Sequence, residues 1–211
     1  LKLAYLPNPG AVRLRLSAYE VEGESVAREI ESQFEALRKI IPHNILGFET
    51  ATMQEVVHEI LTRRGLTLAV AESCTGGSIA ARFTAMPGAS AYFLCGVVSY
   101  SNDSKTRLLG VDAADIARYG AVSEQVARQM AEGARRAAGA DYAVATTGIA
   151  GPSGGTPELP VGSIWIAVSS PERTVSRLIH VNGSRNKVIR KAGTAAVALL
   201  EEELLTEKTA R

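Results

Sequence analysis

Cysteine is scarce in this chain. Two residues, Cys74 and Cys95, among 211 are too few for a disulfide framework or a cysteine zinc site. They point instead to reduced core thiols in a cytoplasmic protein. The three histidines, His43, His58 and His180, stand singly, and neither H-x-x-x-H nor C-x-x-C spacing occurs. A tight metal site is therefore unsupported, and no cofactor is expected. No apolar run reaches the roughly 18 residues that span a bilayer, so no membrane association is expected. Leu1-Lys2-Leu3-Ala4-Tyr5 lacks the basic and apolar regions of a secretory signal. It also lacks an initiator Met, so a piece of a longer chain is expected. A formal net charge of +1 carries no signature of a nucleic-acid partner, which leaves only a local patch to consider. Walker A, G-x-G-x-x-G and G-x-S-x-G patterns are all missing.

What is present is a globular balance, with 46% hydrophobic and 21% charged residues. The length allows one large domain or two small ones, and the texture favours two. Residues 1–48 are charge-rich and read as strand, strand, helix. Leu3 to Leu6 is a short apolar run stopped by Pro7-Asn8-Pro9-Gly10. Val12, Leu14 and Leu16 alternate with Arg13, Arg15 and Ser17, the period of a half-buried strand. After Gly23, the residues Val26, Ile30, Phe34, Leu37 and Ile41 follow helical spacing, and Pro42 ends the helix. This is a small α+β module.

Residues 49–211 alternate strand with helix. Thr52 and Glu55 form a capping-box pattern ahead of Met53, Val56, Val57 and Ile60. Arg63-Arg64-Gly65 closes that helix. Strands are expected at 66–71, 96–100, 142–146, 163–168 and 174–181, the last two joined through Pro171-Glu172. Helices are expected at 78–83, at 104–109, after Ser123 with Val126, Met130, Ala134 and Ala137 inward, and from Asn186 to about Leu205. The pattern predicts an α/β fold, a three-layer α/β/α sandwich with a mixed sheet.

Three polar turns, two of them glycine-bearing, each follow a strand, where α/β sheets bind ligands. Ala71-Glu72-Ser73-Cys74-Thr75-Gly76-Gly77 opens a helix, and its glycines admit a ligand close to the backbone. Its amides suit a phosphate or an oxyanion. The same residues also suit an ordinary turn with Ser73 as N-cap. Ser99 to Lys105 offers a phenol, hydroxyls, an amide and a lysine, or equally a polar loop with Lys105 solvated. Thr146 to Gly155 is the third turn. Asn182-Gly183-Ser184-Arg185 adds a guanidinium suited to a phosphate, with Arg190 and Lys191 as weaker candidates. Together these segments point to one concave site for a small polar ligand.

A Ser-His pair is not well served, because His58 lies on a preceding helix and His180 inside a strand. Lys105 is better placed to act on Ser73, provided that burial or nearby cations lower its pKa from about 10.4. Tyr100 is positioned to relay or orient a proton. Cys74, a thiol near a helix start, remains a competing nucleophile.

The segments 71–77, Tyr100-Ser101-Asn102 with Lys105, Gly120-Ala121-Val122-Ser123, and Gly148-Ile149-Ala150-Gly151-Pro152 with Pro160-Val161-Gly162 together resemble the C-terminal domain of the CinA family, the competence/damage-inducible proteins. The match runs from about Met53 to the end of the chain. The resemblance implies an amidase of the pyridine nucleotide cycle, hydrolysing nicotinamide mononucleotide to nicotinic acid mononucleotide and ammonia. It implies a Ser-Lys mechanism without a metal, with catalytic residues at Ser73, Lys105 and Tyr100. The hydroxyl after the third strand falls on Thr147 and the arginine of the G-x-R turn on Arg185. Thr75, Gly76, Gly77, Asn102, Gly148, Ala150 and Gly151 complete the expected substrate contacts, with amides near Thr75 and Gly76 receiving the oxyanion. Thr147, the 148–151 loop and Arg185 are expected to hold ribose and phosphate.

Residues 1–48 resemble the KH-like module that precedes this domain, and a further N-terminal domain of longer members is missing here. The module contains no G-x-x-G, the loop that clamps a nucleic-acid backbone. Arg13 and Arg15 therefore read as a solvated face, and the module is expected to serve homodimerisation or spacing. The competing expectations are a catalytically silent pyridine-nucleotide-binding module and an RNA-binding module.

Overall fold

A computed structural model describes residues 1–8, 11–18, 24–41 and 52–206 of the chain. Two compact units are present, Leu1–Thr52 and Met53–Arg211. The expectations that rest on Pro9-Gly10, Gly23, Pro42, His43 and a boundary at 48/49 lie outside the described residues.

In the first unit, β1 (Lys2–Asn8) pairs antiparallel with β2 (Ala11–Ser17). Leu3 faces Leu16 and Tyr5 faces Leu14; Leu14 and Leu16 are half-buried as the alternation predicts, whereas Val12 is exposed. Helix α1 (Glu24–Ile40) half-buries Val26, Ile30, Phe34 and Leu37 and exposes Arg28, Glu31, Glu35 and Arg38.

The second unit is built on a five-stranded sheet in the order β4-β3-β5-β6-β7. The strands are β3 (Leu68–Glu72), β4 (Phe93–Val98), β5 (Tyr142–Gly148), β6 (Ser163–Ser169) and β7 (Thr174–His180). β3 runs parallel to β4 and β5, whereas β5, β6 and β7 are antiparallel, which makes the sheet mixed. The helices are α2 (Met53–Arg64), α3 (Ser78–Thr84), α4 (Asn102–Leu109), α5 (Ala113–Tyr119), α6 (Glu124–Ala138) and α7 (Arg185–Thr206).

Side-chain size sorts the two faces of the sheet. Leu68, Val70, Tyr142, Val144, Ile164 and Ile166 point to one side and pack with α2, α3 and α7 through Val57, Leu61, Phe83, Val188 and Leu200. Ala69, Ala71, Ala143, Ala145 and Ala167 point to the other, where α6 lies on them with Val126, Ala127, Met130 and Ala134. The small side chains allow α6 a close approach to the sheet. Contact between α6 and α4 is closer still. A Cβ on Gly133 would fall 1.8 Å from the Leu109 carbonyl oxygen, so this glycine sets the position of α4.

Four local expectations change. β4 starts three residues earlier than the pattern suggests and stops at Val98. β3 extends to Glu72, which is paired on both sides, with Val98 and Thr146. α5 was not expected, because it buries only Ile116 and shows no apolar period; Asp112 caps it by accepting from the Ala114 amide. Ala137 is exposed rather than inward, since the last turn of α6 leaves the core before Gly139 ends the helix.

Candidate active site

The ends of β3, β4 and β5 lie on one rim, and strand parity decides what each delivers there. Past Ala69 and Ala71, the next residue on the α6 side is Ser73; past Ala143 and Ala145 it is Thr147. Glu72 and Thr146 belong to the opposite face. A cavity of about 230 Å³ opens on this rim, lined by Ser73, Cys74, Tyr100, Asn102, Lys105, Ala121, Val122, Thr147, Gly148, Ala150 and Arg185.

Lys105 is not solvated. It is 1% exposed, and its Nζ donates to Ser73 Oγ at 3.1 Å and to the Ser99 carbonyl at 2.8 Å. The capping box of Ser101 and Ser104 starts α4 and places Lys105 in its first turn. The Ser99 amide donates to the Glu72 carbonyl and the Ser73 amide to the Thr146 carbonyl, so both partners of the dyad are tied to the sheet.

Burial lowers the Lys105 pKa below the ordinary lysine value, opposed by the negative charge of a Cys74 thiolate. That opposition is absent near neutrality. Burial, against the partial relief of its own backbone amide, pushes the Cys74 thiol up to about 12, so it stays uncharged. The same shift removes the thiolate on which a Cys74 nucleophile depends.

The turn after β3 differs from expectation. The N-cap of α3 is Gly77, at φ 97°, and not Ser73. Its side-chain cap comes from inside the strand, since the Glu72 carboxylate accepts from the amides of Gly77, Ile79 and Ala80 at 2.8–3.1 Å. Those amides are therefore closed to a phosphate. Gly76 N–H donates to the Ser73 carbonyl, which withdraws it from an oxyanion; the Cys74 and Thr75 amides donate to no backbone carbonyl among the described residues. The Thr75 hydroxyl pairs with that of Thr146 at 2.7 Å on the far side. Thr75, Gly76 and Gly77 do not line the cavity.

Across the mouth, Arg185 holds two loops. Its Nη1 donates to the Gly151 carbonyl at 2.9 Å and its Nη2 to the Tyr100 hydroxyl at 3.0 Å. Tyr100 is 62% exposed, and no hydrogen bond among the described residues joins it to Ser73 or Lys105. Thr147 Oγ1 donates to the Ala121 carbonyl at 2.7 Å. Asn102, Gly148 and Ala150 lie on the cavity wall, while Gly151 meets the site through its carbonyl. His58 contacts Tyr92 and His180 contacts Asn182, and neither lines the cavity, nor do Arg190 and Lys191.

Sequence reasoning passed over the capping role of Glu72, the Ser99 carbonyl, and the walls Ala121 and Val122. An acid at the end of an otherwise uncharged buried strand was the available signal for Glu72. No signal marks a backbone carbonyl.

No helix among the described residues is long and apolar enough to cross a membrane. The model of the CinA C-terminal domain matches residues 50–204. A CinA-like protein of Flavobacterium psychrophilum is 40% identical over 206 residues, covering 97% of this chain and 49% of its own length. A CinA-like protein of Chlorobaculum tepidum is 48% identical over 168 residues, covering 80% of this chain and 40% of its own length. The chain thus spans about half the length, or less, of these curated relatives. The solved structure of the competence damage-inducible protein A from Klebsiella pneumoniae superposes with a TM-score of 0.70 at 37% identity, over 72% of this chain and 95% of that one. With the mixed sheet, the strand-end motifs and these likenesses agreeing, the chain belongs to the CinA family and carries its C-terminal domain.

Proposed function

We propose that the chain hydrolyses the carboxamide of nicotinamide mononucleotide, releasing ammonia and nicotinic acid mononucleotide in pyridine nucleotide recycling. One observation carries the reading: a buried lysine amine 3.1 Å from a serine hydroxyl, inside a cavity at the strand ends. Neutral Lys105 takes the Ser73 proton while Oγ bonds to the carboxamide carbon. Of the amides on this turn, that of Cys74, which lines the cavity and donates to no backbone carbonyl among the described residues, is left to face the oxyanion. Lys105 returns its proton to the nitrogen, the C–N bond breaks and ammonia leaves. Water then adds its hydroxyl to the acyl carbon, its proton passing through Lys105 to Ser73 as the ester bond breaks.

The cavity supports one orientation. At about 230 Å³ it is smaller than the roughly 300–1,000 Å³ typical of small-molecule pockets, so the carboxamide end enters it. Ser73, Lys105 and Thr147 are buried, whereas Tyr100, Asn102 and Arg185 are exposed at the mouth, where a phosphate would meet the guanidinium.

Ammonia release from nicotinamide mononucleotide tests this directly. Ser73→Ala and Lys105→Met are expected to lose activity while the protein stays folded, and Cys74→Ser to keep it. Activity in Ser73→Ala with loss in Cys74→Ser would reverse the nucleophile. Binding without ammonia release in the unaltered protein would leave a silent nucleotide-binding module.

A further inference from the structure

The Thr147 hydroxyl lies 2.7 Å from the Ala121 carbonyl. A carbonyl has no proton to give, so the hydroxyl proton occupies that bond. What Thr147 Oγ1 retains for a ligand is a lone pair, and it can only accept. The side chain is buried and lines the cavity that holds Ser73.

Three backbone carbonyls around this cavity are already committed. The Ser99 carbonyl accepts from Lys105, the Gly151 carbonyl from Arg185, and the Ala121 carbonyl from Thr147 itself. No Asp or Glu lines the wall, and the Glu72 carboxylate is turned to the amides of α3. Of the other side chains that line the cavity, Tyr100, Lys105 and Arg185 bring N–H or O–H donors, and Asn102, exposed at the mouth, brings an amide with both a donor and an acceptor, so Thr147 is the buried hydroxyl that can only accept.

Substrate and product differ in this respect. A carboxamide presents one acceptor and an NH2 donor, whereas a carboxylate presents acceptors alone. We infer that Thr147 accepts an N–H of the reacting carboxamide and so selects the amide over its carboxylate product. This rests on the amidase reading and moves Thr147 from the ribose and phosphate to the reacting group. A carboxylate oxygen placed there would meet a lone pair, which favours release of the acid. A charged Lys105 would pull the other way, and burial of that amine works against its charge.

The test uses Ser73→Ala protein, expected to bind without turnover, and calorimetry with three probes. These are nicotinamide mononucleotide, nicotinic acid mononucleotide and the methyl-ketone analogue 3-acetylpyridine mononucleotide, which keeps the carbonyl and loses the N–H donor. The amide is expected to bind roughly tenfold tighter than either alternative, about 1.4 kcal/mol. Adding Thr147→Val should shrink the amide-to-ketone ratio to about twofold or less, while Thr147→Ser should retain it; a general loss of structure would instead weaken all three ligands together. Equal affinity for amide and ketone, or a preference that survives Thr147→Val, overturns the inference. If Thr147→Val does not fold, Thr147→Ala takes its place in the same comparison, and equal affinity for amide and ketone on Ser73→Ala still overturns the inference. If the folded protein binds none of the three, the amidase reading itself fails and the selection goes with it.

Discussion

Glu201 gives the second unit a built-in dependence on pH. It lies in α7, is 3% exposed, and its Oε1 has no hydrogen-bond partner among the described residues. Its neighbours in sequence are better served: Glu202 pairs with Arg177 and Glu203 with Arg173, both on or beside β7. Burial first, and then the charge of Glu202, push the Glu201 carboxyl from 4.5 up to about 7. The folded protein therefore holds a proton that the unfolded chain releases between about pH 4.5 and 7. In that window the unfolded state binds fewer protons, so the contribution to stability falls as pH rises, and the full penalty stands above pH 7. At about 1.4 kcal/mol per pKa unit, the penalty is of the order of 3 kcal/mol.

Glu201→Gln mimics the protonated carboxyl and removes the titration. The variant is expected to match the parent near pH 4.5 and to exceed it at pH 8. The gain there is of the order of 1–2 kcal/mol, because the new amide keeps part of the desolvation cost. Urea unfolding at several pH values measures this. Trp165, the single tryptophan of the chain, lies in β6 and reports on this unit alone. A difference between the two proteins that stays constant from pH 5 to 8 would falsify the assignment, since a fixed packing change has no proton linkage.

Three further outcomes follow from other parts of the unit. Gly133→Ala should destabilise by about 1–3 kcal/mol and lower turnover, since the new Cβ must displace the Leu109 end of the helix that bears Lys105; a neutral effect in thermal unfolding would reject that close contact. In the pH profile of kcat/KM, the limb that reports Lys105 deprotonation should lie below the ordinary lysine value, because burial lowers it; a limb at or above about 10.4 would remove Lys105 as the base. Glu72→Gln replaces one carboxylate oxygen with an NH2, which then faces the Gly77 or the Ala80 amide, and should cost roughly 1–3 kcal/mol and lower kcat; an unchanged melting temperature and kcat would show that the turn holds without this cap.

Much of the sandwich is legible because its elements carry strong apolar signals. β5 and β6 are near-continuous apolar runs buried on both faces, α7 is a long run rich in apolar residues, and the expected ranges agree with the observed ones within one or two residues. α5 escapes for the opposite reason: seven residues with one buried side chain contain no period. β4 is an edge strand with alternate residues exposed, so its start lies among residues whose apolar character does not distinguish strand from loop.

The site is legible in composition and illegible in direction. Three polar turns after three strands identify the rim, and Ser73 and Lys105 do meet on it. Which hydroxyl faces the cavity is settled by parity, and parity can be read only after the strand register is known. Thr146 and Thr147 are adjacent and chemically identical, yet one pairs with Thr75 behind the sheet and the other lines the cavity. Glu72 and Ser73 divide in the same manner, the first holding the turn and the second presenting a hydroxyl to Lys105. A one-residue slip of β3 or β5 would exchange these roles, and in β3 it would leave a carboxylate facing the lysine. The alanines at 69, 71, 143 and 145 oppose that slip, because it would drive Leu68, Val70, Tyr142 and Val144 against the closely packed α6. Size sorting in the core thus holds the chemistry at the rim in phase.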